Sequence, residues 1–63
     1  MKTIGILGAG QLGKMLAEAA LKLGLQPHLY APDSDPLIPP GALHTQAEYT
    51  DLPALQKFAA SVD

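Results

Sequence analysis

Gly8-Ala9-Gly10-Gln11-Leu12-Gly13 constrains this chain more than any other stretch. It joins an apolar run, Thr3 to Leu7, to a segment of helical periodicity, Leu12 to Leu23. Strand, glycine turn and helix, in that order, is how many α/β folds meet a phosphate. Each glycine has its own job there. Gly8 turns the chain tightly out of the strand. Gly10 leaves the backbone bare for a ligand's phosphate. Gly13 lets the helix lie close to the strand. The free N–H groups of the first helical turn, with the helix dipole behind them, favour an anion. The same glycines also suit a close strand–helix packing with no ligand at all.

The remaining pattern continues the alternation. Lys2 to Leu7 reads as a buried strand, with Ile4 and Ile6 on one face and Thr3, Gly5 and Leu7 on the other. Gln11 to Leu23 reads as a helix whose buried face is Leu12, Met15, Leu16, Ala19, Ala20 and Leu23. Lys14, Glu18 and Lys22 occupy its opposite, solvated face. Gly24 is placed to cap the helix in a left-handed conformation. Leu25 to Ala31 reads as a second strand, with Pro27 at an edge or near the start. Pro32 to Gly41, rich in proline and aspartate, is a loop, and Asp33 and Asp35 in it are turn formers before they are acids. Leu43 to Ala47 suggests a short third strand. Thr50 or Asp51 then caps a second helix with Pro53 in its first turn. Leu52, Leu55, Phe58, Ala59 and Val62 form the apolar face of that helix.

This predicts an α/β fold: an incomplete Rossmann-like parallel sheet of about three strands and two helices. Residues 1–63 then form the N-terminal part of such a domain. In the usual strand order a fourth strand pairs on the free side of the first. Without it the first strand has an open apolar edge, and self-association through that edge is expected.

Composition removes several classes of function. The formal charge of -2 is spread evenly, so nucleic acid finds no basic patch. The absence of cysteine leaves no thiolate metal site and no disulfide framework, as in intracellular proteins, and a cytoplasmic location is expected. No segment approaches membrane-spanning length. His28 and His44 lack a third metal ligand and read as packed or surface side chains.

Two ligands suit the turn. An NAD(P)-binding unit of an oxidoreductase needs an acid at the end of the second strand, about 20 residues beyond the glycines. Tyr30, Ala31 and Pro32 hold that place, and Asp33 follows the proline. The second ligand comes from a resemblance. Gly8-Ala9-Gly10-Gln11-Leu12-Gly13-Lys14-Met15-Leu16 resembles the G-G-G-Q-L-G-R-M start of the 5-(carboxyamino)imidazole ribonucleotide synthase family, ATP-grasp ligases of purine biosynthesis. The helix, the strand, the proline- and aspartate-rich loop and the Tyr49-Thr50-Asp51 turn extend the likeness over nearly the whole chain. Ala9 and Lys14 replace a glycine and an arginine. Ala31 stands where relatives often carry an aspartate.

The resemblance implies a pre-ATP-grasp domain. Its parent enzyme carboxylates aminoimidazole ribonucleotide with ATP and bicarbonate and is a homodimer. Gly8, Gly10, Gln11 and Leu12 are the substrate-binding residues it implies, with no catalytic or metal residue in this segment. ATP and Mg²⁺ would bind to ATP-grasp domains outside the segment. The isolated segment is expected to be inactive.

Overall fold

The elements follow from local chemistry. The structure is a computed structural model that describes residues 2–34 and 36–63, so Asp35 lies outside the described residues. β-Branched Thr3, Ile4 and Ile6 favour the extended chain of β1 (Thr3–Leu7). The helix α1 (Gln11–Lys22) starts at Gly10 without a side-chain cap. It stops at Gly24, whose φ is +79°. The Gly24 N–H donates to the Leu21 carbonyl at 3.1 Å and the Leu25 N–H to the Ala20 carbonyl at 3.0 Å. That pair of bonds is a Schellman cap, so Gly24 does what its position predicts. Next come β2 (Gln26–Ala31), β3 (Leu43–Gln46) and α2 (Leu52–Ser61). The Asp51 carboxylate caps α2 by accepting from the Ala54 N–H at 3.1 Å.

The three strands are parallel, in the order β1-β2-β3. Paired residues share a face, so the register sorts the side chains. Ile6, Leu29 and His44 fall on one face; Gly5 with His28, and Tyr30 with Thr45, fall on the other. On the first face α1 packs against β1 and β2. There Ala9, Ala17, Leu29 and Ala31 form the core, closed by Ile6, Ile38 and Ala42. On the second face Phe58 of α2 meets His28 edge-on at 5.0 Å and Tyr30 at 5.1 Å between ring centroids. The sheet is covered on both sides, as its two-sided apolar pattern requires.

Two helix faces differ from the sequence expectation. In α1 the buried residues are Gly13, Ala17 and Ala20. Leu12, Met15, Leu16, Ala19 and Leu23 are exposed. The reason is depth of packing. A Cβ on Gly13 would lie 2.6 Å from the Gly8 carbonyl oxygen. A helix that close admits only small side chains underneath and turns its leucines past the sheet. In α2, Leu52 and Ala59 are likewise exposed, while Phe58 is buried and Leu55 and Val62 are half-buried. One large ring fills most of the gap beneath that helix.

Pro27 is the second residue of β2, near its start as expected, and β2 is the central strand and not an edge. The Gln26 N–H donates to Lys2 of β1 at 2.9 Å, so the nitrogen of the next residue turns toward β3. The β3 ladder begins one residue later, with Leu43 opposite His28. No ladder bond is lost. The His28 ring reaches the Thr45 hydroxyl at 2.7 Å. Burial, and then the nearby His44, hold His28 below the usual imidazole range.

Two outcomes test this packing. Gly13→Ala should destabilise the fold by about 1–3 kcal/mol through overpacking. Leu16→Ala should cost less than about 1 kcal/mol, as an exposed site does, against about 2–5 for a core leucine. Chemical unfolding of dilute protein reads both. The second outcome concerns pH. His28 is harder to protonate folded than unfolded, so its contribution is complete above about pH 6.5 and lost as pH falls through its lowered pKa. The thermal midpoint should drop between about pH 7.5 and 5.5, and His28→Gln should shrink that drop.

Candidate functional site

The carboxyl ends of parallel strands gather their loops at one end of the sheet, where α/β proteins bind ligands. Here the glycine turn leaves β1 at that end. Gly8 has φ +115°, a conformation glycine adopts readily. Its N–H donates to the Tyr30 carbonyl at 2.8 Å. The Ala9 carbonyl accepts the Leu37 N–H at 3.0 Å, and Ala9 itself is buried. The turn is therefore clamped between the end of β2 and the proline-rich loop.

Gly10 differs from its neighbours. Its φ of -88° and ψ of -160° are open to any residue. A Cβ there would meet nothing within 4 Å. Neither conformation nor packing demands a glycine at this position. Beyond it the first intrahelical bond runs from the Lys14 N–H to the Gly10 carbonyl at 3.0 Å. The N–H groups of Gln11, Leu12 and Gly13 precede that bond and face outward along the helix axis without intrahelical partners. The Gln11 and Leu12 side chains are exposed beside them. Gly8, Gly10, Gln11 and Leu12 thus stand together around one bare helix start. Lys14 pairs with Glu18 at 3.8 Å along the helix.

Tyr49 also reaches this end, and the sequence reading gave it no role. Its hydroxyl lies 3.9 Å from where a Cβ of Gly8 would be, and its ring leans on Tyr30 with centroids 6.0 Å apart. Buried Tyr30 donates its hydroxyl to the Glu48 carbonyl at 2.6 Å, which fixes the turn that carries Tyr49. Burial, with the Asp51 and Glu48 carboxylates nearby, pushes the Tyr30 phenol up, so it stays a donor. The usable signal for Tyr49 was topological: it follows a short parallel strand, so it had to arrive at the same end as the glycines.

Other candidates do not join the site. Asp51 is taken up in capping and Asp33 is exposed on its loop. His28 and Thr45, with Ala54, Lys57, Phe58 and Ser61, line an open hollow of about 260 Å³ beside α2, and no turn residue borders it. His44 has a buried Nε2 without a partner. Among the described residues no three His, Cys, Asp or Glu side chains gather around a metal position. Ala31, where a dinucleotide site needs an acid, is wholly buried in the core. The arrangement suits backbone recognition of an anion, with the Gln11 and Tyr49 side chains nearby, and among the described residues no acid–base pair gathers at it.

Comparison with known proteins shows the family. The bifunctional purine synthesis protein purC/E of Dictyostelium discoideum is 45% identical over 62 residues, covering 97% of this chain and 6% of that protein. The N5-carboxyaminoimidazole ribonucleotide synthase of Staphylococcus aureus (strain COL) is 40% identical over 62 residues, covering 97% and 17%. The crystal structure of N5-carboxyaminoimidazole synthetase from Staphylococcus aureus complexed with ADP matches with a TM-score of 0.90 at 40% identity, covering 98% of this chain and 17% of that one. The Thermotoga maritima N5-carboxyaminoimidazole ribonucleotide synthetase matches with a TM-score of 0.89 at 31% identity, covering 100% and 18%. The chain spans 17% or less of the length of these two curated relatives. A family model, the ribonucleotide synthetase preATP-grasp domain, matches residues 1–63, and the chain belongs to that family.

Proposed function

We propose that this chain is the ribonucleotide-binding first segment of an ATP-dependent ligase. That ligase carboxylates aminoimidazole ribonucleotide with bicarbonate in purine biosynthesis. The observation that carries the reading is Gly10, which is bare without conformational need and stands beside unpaired helix-start N–H groups. An approaching phosphate or ribose oxygen needs that clearance. The names of the relatives supply the substrate class.

In this reading the segment binds and orients. The N–H groups of Gln11, Leu12 and Gly13 donate to the phosphorylated sugar, and the helix dipole favours its charge. The Gln11 amide donates and accepts at the rim. The Tyr49 hydroxyl adds a further donor above Gly8. ATP with Mg²⁺ supplies the energy of carboxylation and is held outside residues 1–63. The acid and base chemistry belongs there too, because the described carboxylates are capping or exposed.

The test uses a ligase that carries this segment. Gly10→Val should weaken binding of aminoimidazole ribonucleotide by about tenfold or more, or about 1.4 kcal/mol, in calorimetry. The backbone at Gly10 accepts valine, so the circular dichroism spectrum should not change. Unchanged affinity would remove the turn from the site. The 63-residue chain alone should show no turnover with ATP, bicarbonate and the ribonucleotide; measurable product would place the chemistry inside this segment.

A further inference from the structure

We propose that Tyr30 is a positioning residue for the ribonucleotide, an inference that rests on the function proposed above. Its main chain holds the glycine turn, and its hydroxyl holds the turn that carries Tyr49. Tyr30 is the last residue but one of the central strand β2 and is wholly buried. Its carbonyl points to β1 and accepts the Gly8 N–H at 2.8 Å. That bond lies one residue beyond the last ladder pair, Leu7 with Tyr30, and so reaches into the glycine turn itself.

The side chain works on the other neighbour. The β2–β3 ladder ends with Ala31 opposite Gln46, and one more main-chain bond follows, from the Ala47 N–H to the Ala31 carbonyl at 3.2 Å. Past Ala47 the hold passes to a side chain: the Tyr30 hydroxyl donates to the Glu48 carbonyl at 2.6 Å. The same carbonyl accepts the Asp51 N–H at 3.1 Å, which closes a turn from Glu48 to Asp51 with Tyr49 as its first central residue. Asp51 in turn caps α2. The turn is pinned by Tyr30 at one end and by α2 at the other, and Tyr49 lies between the pins.

Both clamps belong to one seated side chain. The Tyr30 ring packs on Phe58 at 5.1 Å between centroids, and the Tyr49 ring leans on Tyr30 at 6.0 Å. The Tyr49 hydroxyl comes 3.9 Å from where a Cβ of Gly8 would be. Tyr30 therefore sets the separation between the helix-start N–H groups and the Tyr49 hydroxyl. A ligand that uses both meets them already ordered, which lowers the cost of binding. Phenylalanine separates this role from plain packing. Tyr30→Phe keeps the ring and the main-chain bond to Gly8 and loses only the hydroxyl. The Glu48 carbonyl retains the Asp51 N–H, so no acceptor is orphaned. A core tyrosine that serves the fold alone would lower the thermal midpoint and leave ligand affinity untouched.

Steady-state kinetics of a ligase that carries this segment tests the proposal, with Tyr30→Phe, Tyr49→Phe and the two combined. Each single change should raise the KM for aminoimidazole ribonucleotide by about three- to tenfold, the worth of one hydrogen bond. The KM for ATP should not move. The combined variant should be no worse than Tyr49→Phe alone, because Tyr30 acts through the Tyr49 hydroxyl. An unchanged ribonucleotide KM in Tyr30→Phe would overturn the proposal, as would two effects that simply multiply. Gly10→Val in the same assay separates the brace from the reading beneath it. A rise with Gly10→Val and none with Tyr30→Phe removes the brace and leaves the glycine turn in the site. No rise with any of the three changes removes both.

Discussion

The fold turns on one approach between backbones, the start of α1 against the end of β1. With a would-be Cβ on Gly13 only 2.6 Å from the Gly8 carbonyl oxygen, the helix start sits too close to the strand end for any side chain at that position. Three consequences follow. The small residues Gly13, Ala17 and Ala20 go underneath. The helix axis points its first N–H groups outward at the strand end. The leucines and Met15 of the same helix are turned aside to the open flank. A bulkier residue at position 13 would lift the helix and alter all three.

Much of this was legible in the sequence because local chemistry decided it. The strand, turn and helix order, the Gly24 cap, the Asp51 cap and the parallel sheet follow from residues adjacent in the chain. The buried face of α1 was not legible. Periodicity marks where apolar residues recur, and here the larger series, Leu12, Met15, Leu16 and Leu23, is not the one facing the sheet. Packing depth decided, and depth depends on a contact between residues 8 and 13 that no hydropathy pattern encodes. Gly13 itself was the available clue, since a glycine within the helix, here in its first turn, needs a close neighbour to justify it.

The site shows the same division. That Gly8, Gly10, Gln11 and Leu12 gather at one helix start was readable because turn chemistry is local; that they hold the ribonucleotide is the proposal. Tyr49 was not assigned, because its place depends on three strands ending together and on the Tyr30 hydroxyl holding the Glu48 carbonyl. The opposite face of the sheet has a plainer role. His28, Tyr30 and Phe58 form an aromatic cluster that seats α2, and the His28 ring is engaged with Thr45.

A crystal structure of a ligase carrying this segment, with aminoimidazole ribonucleotide bound, tests the central claim most directly. The expected result is a phosphate or ribose oxygen about 2.7–3.2 Å from main-chain nitrogens of residues 10–13, on the open side of Gly10. A ribonucleotide seated elsewhere, with solvent at that helix start, would contradict it.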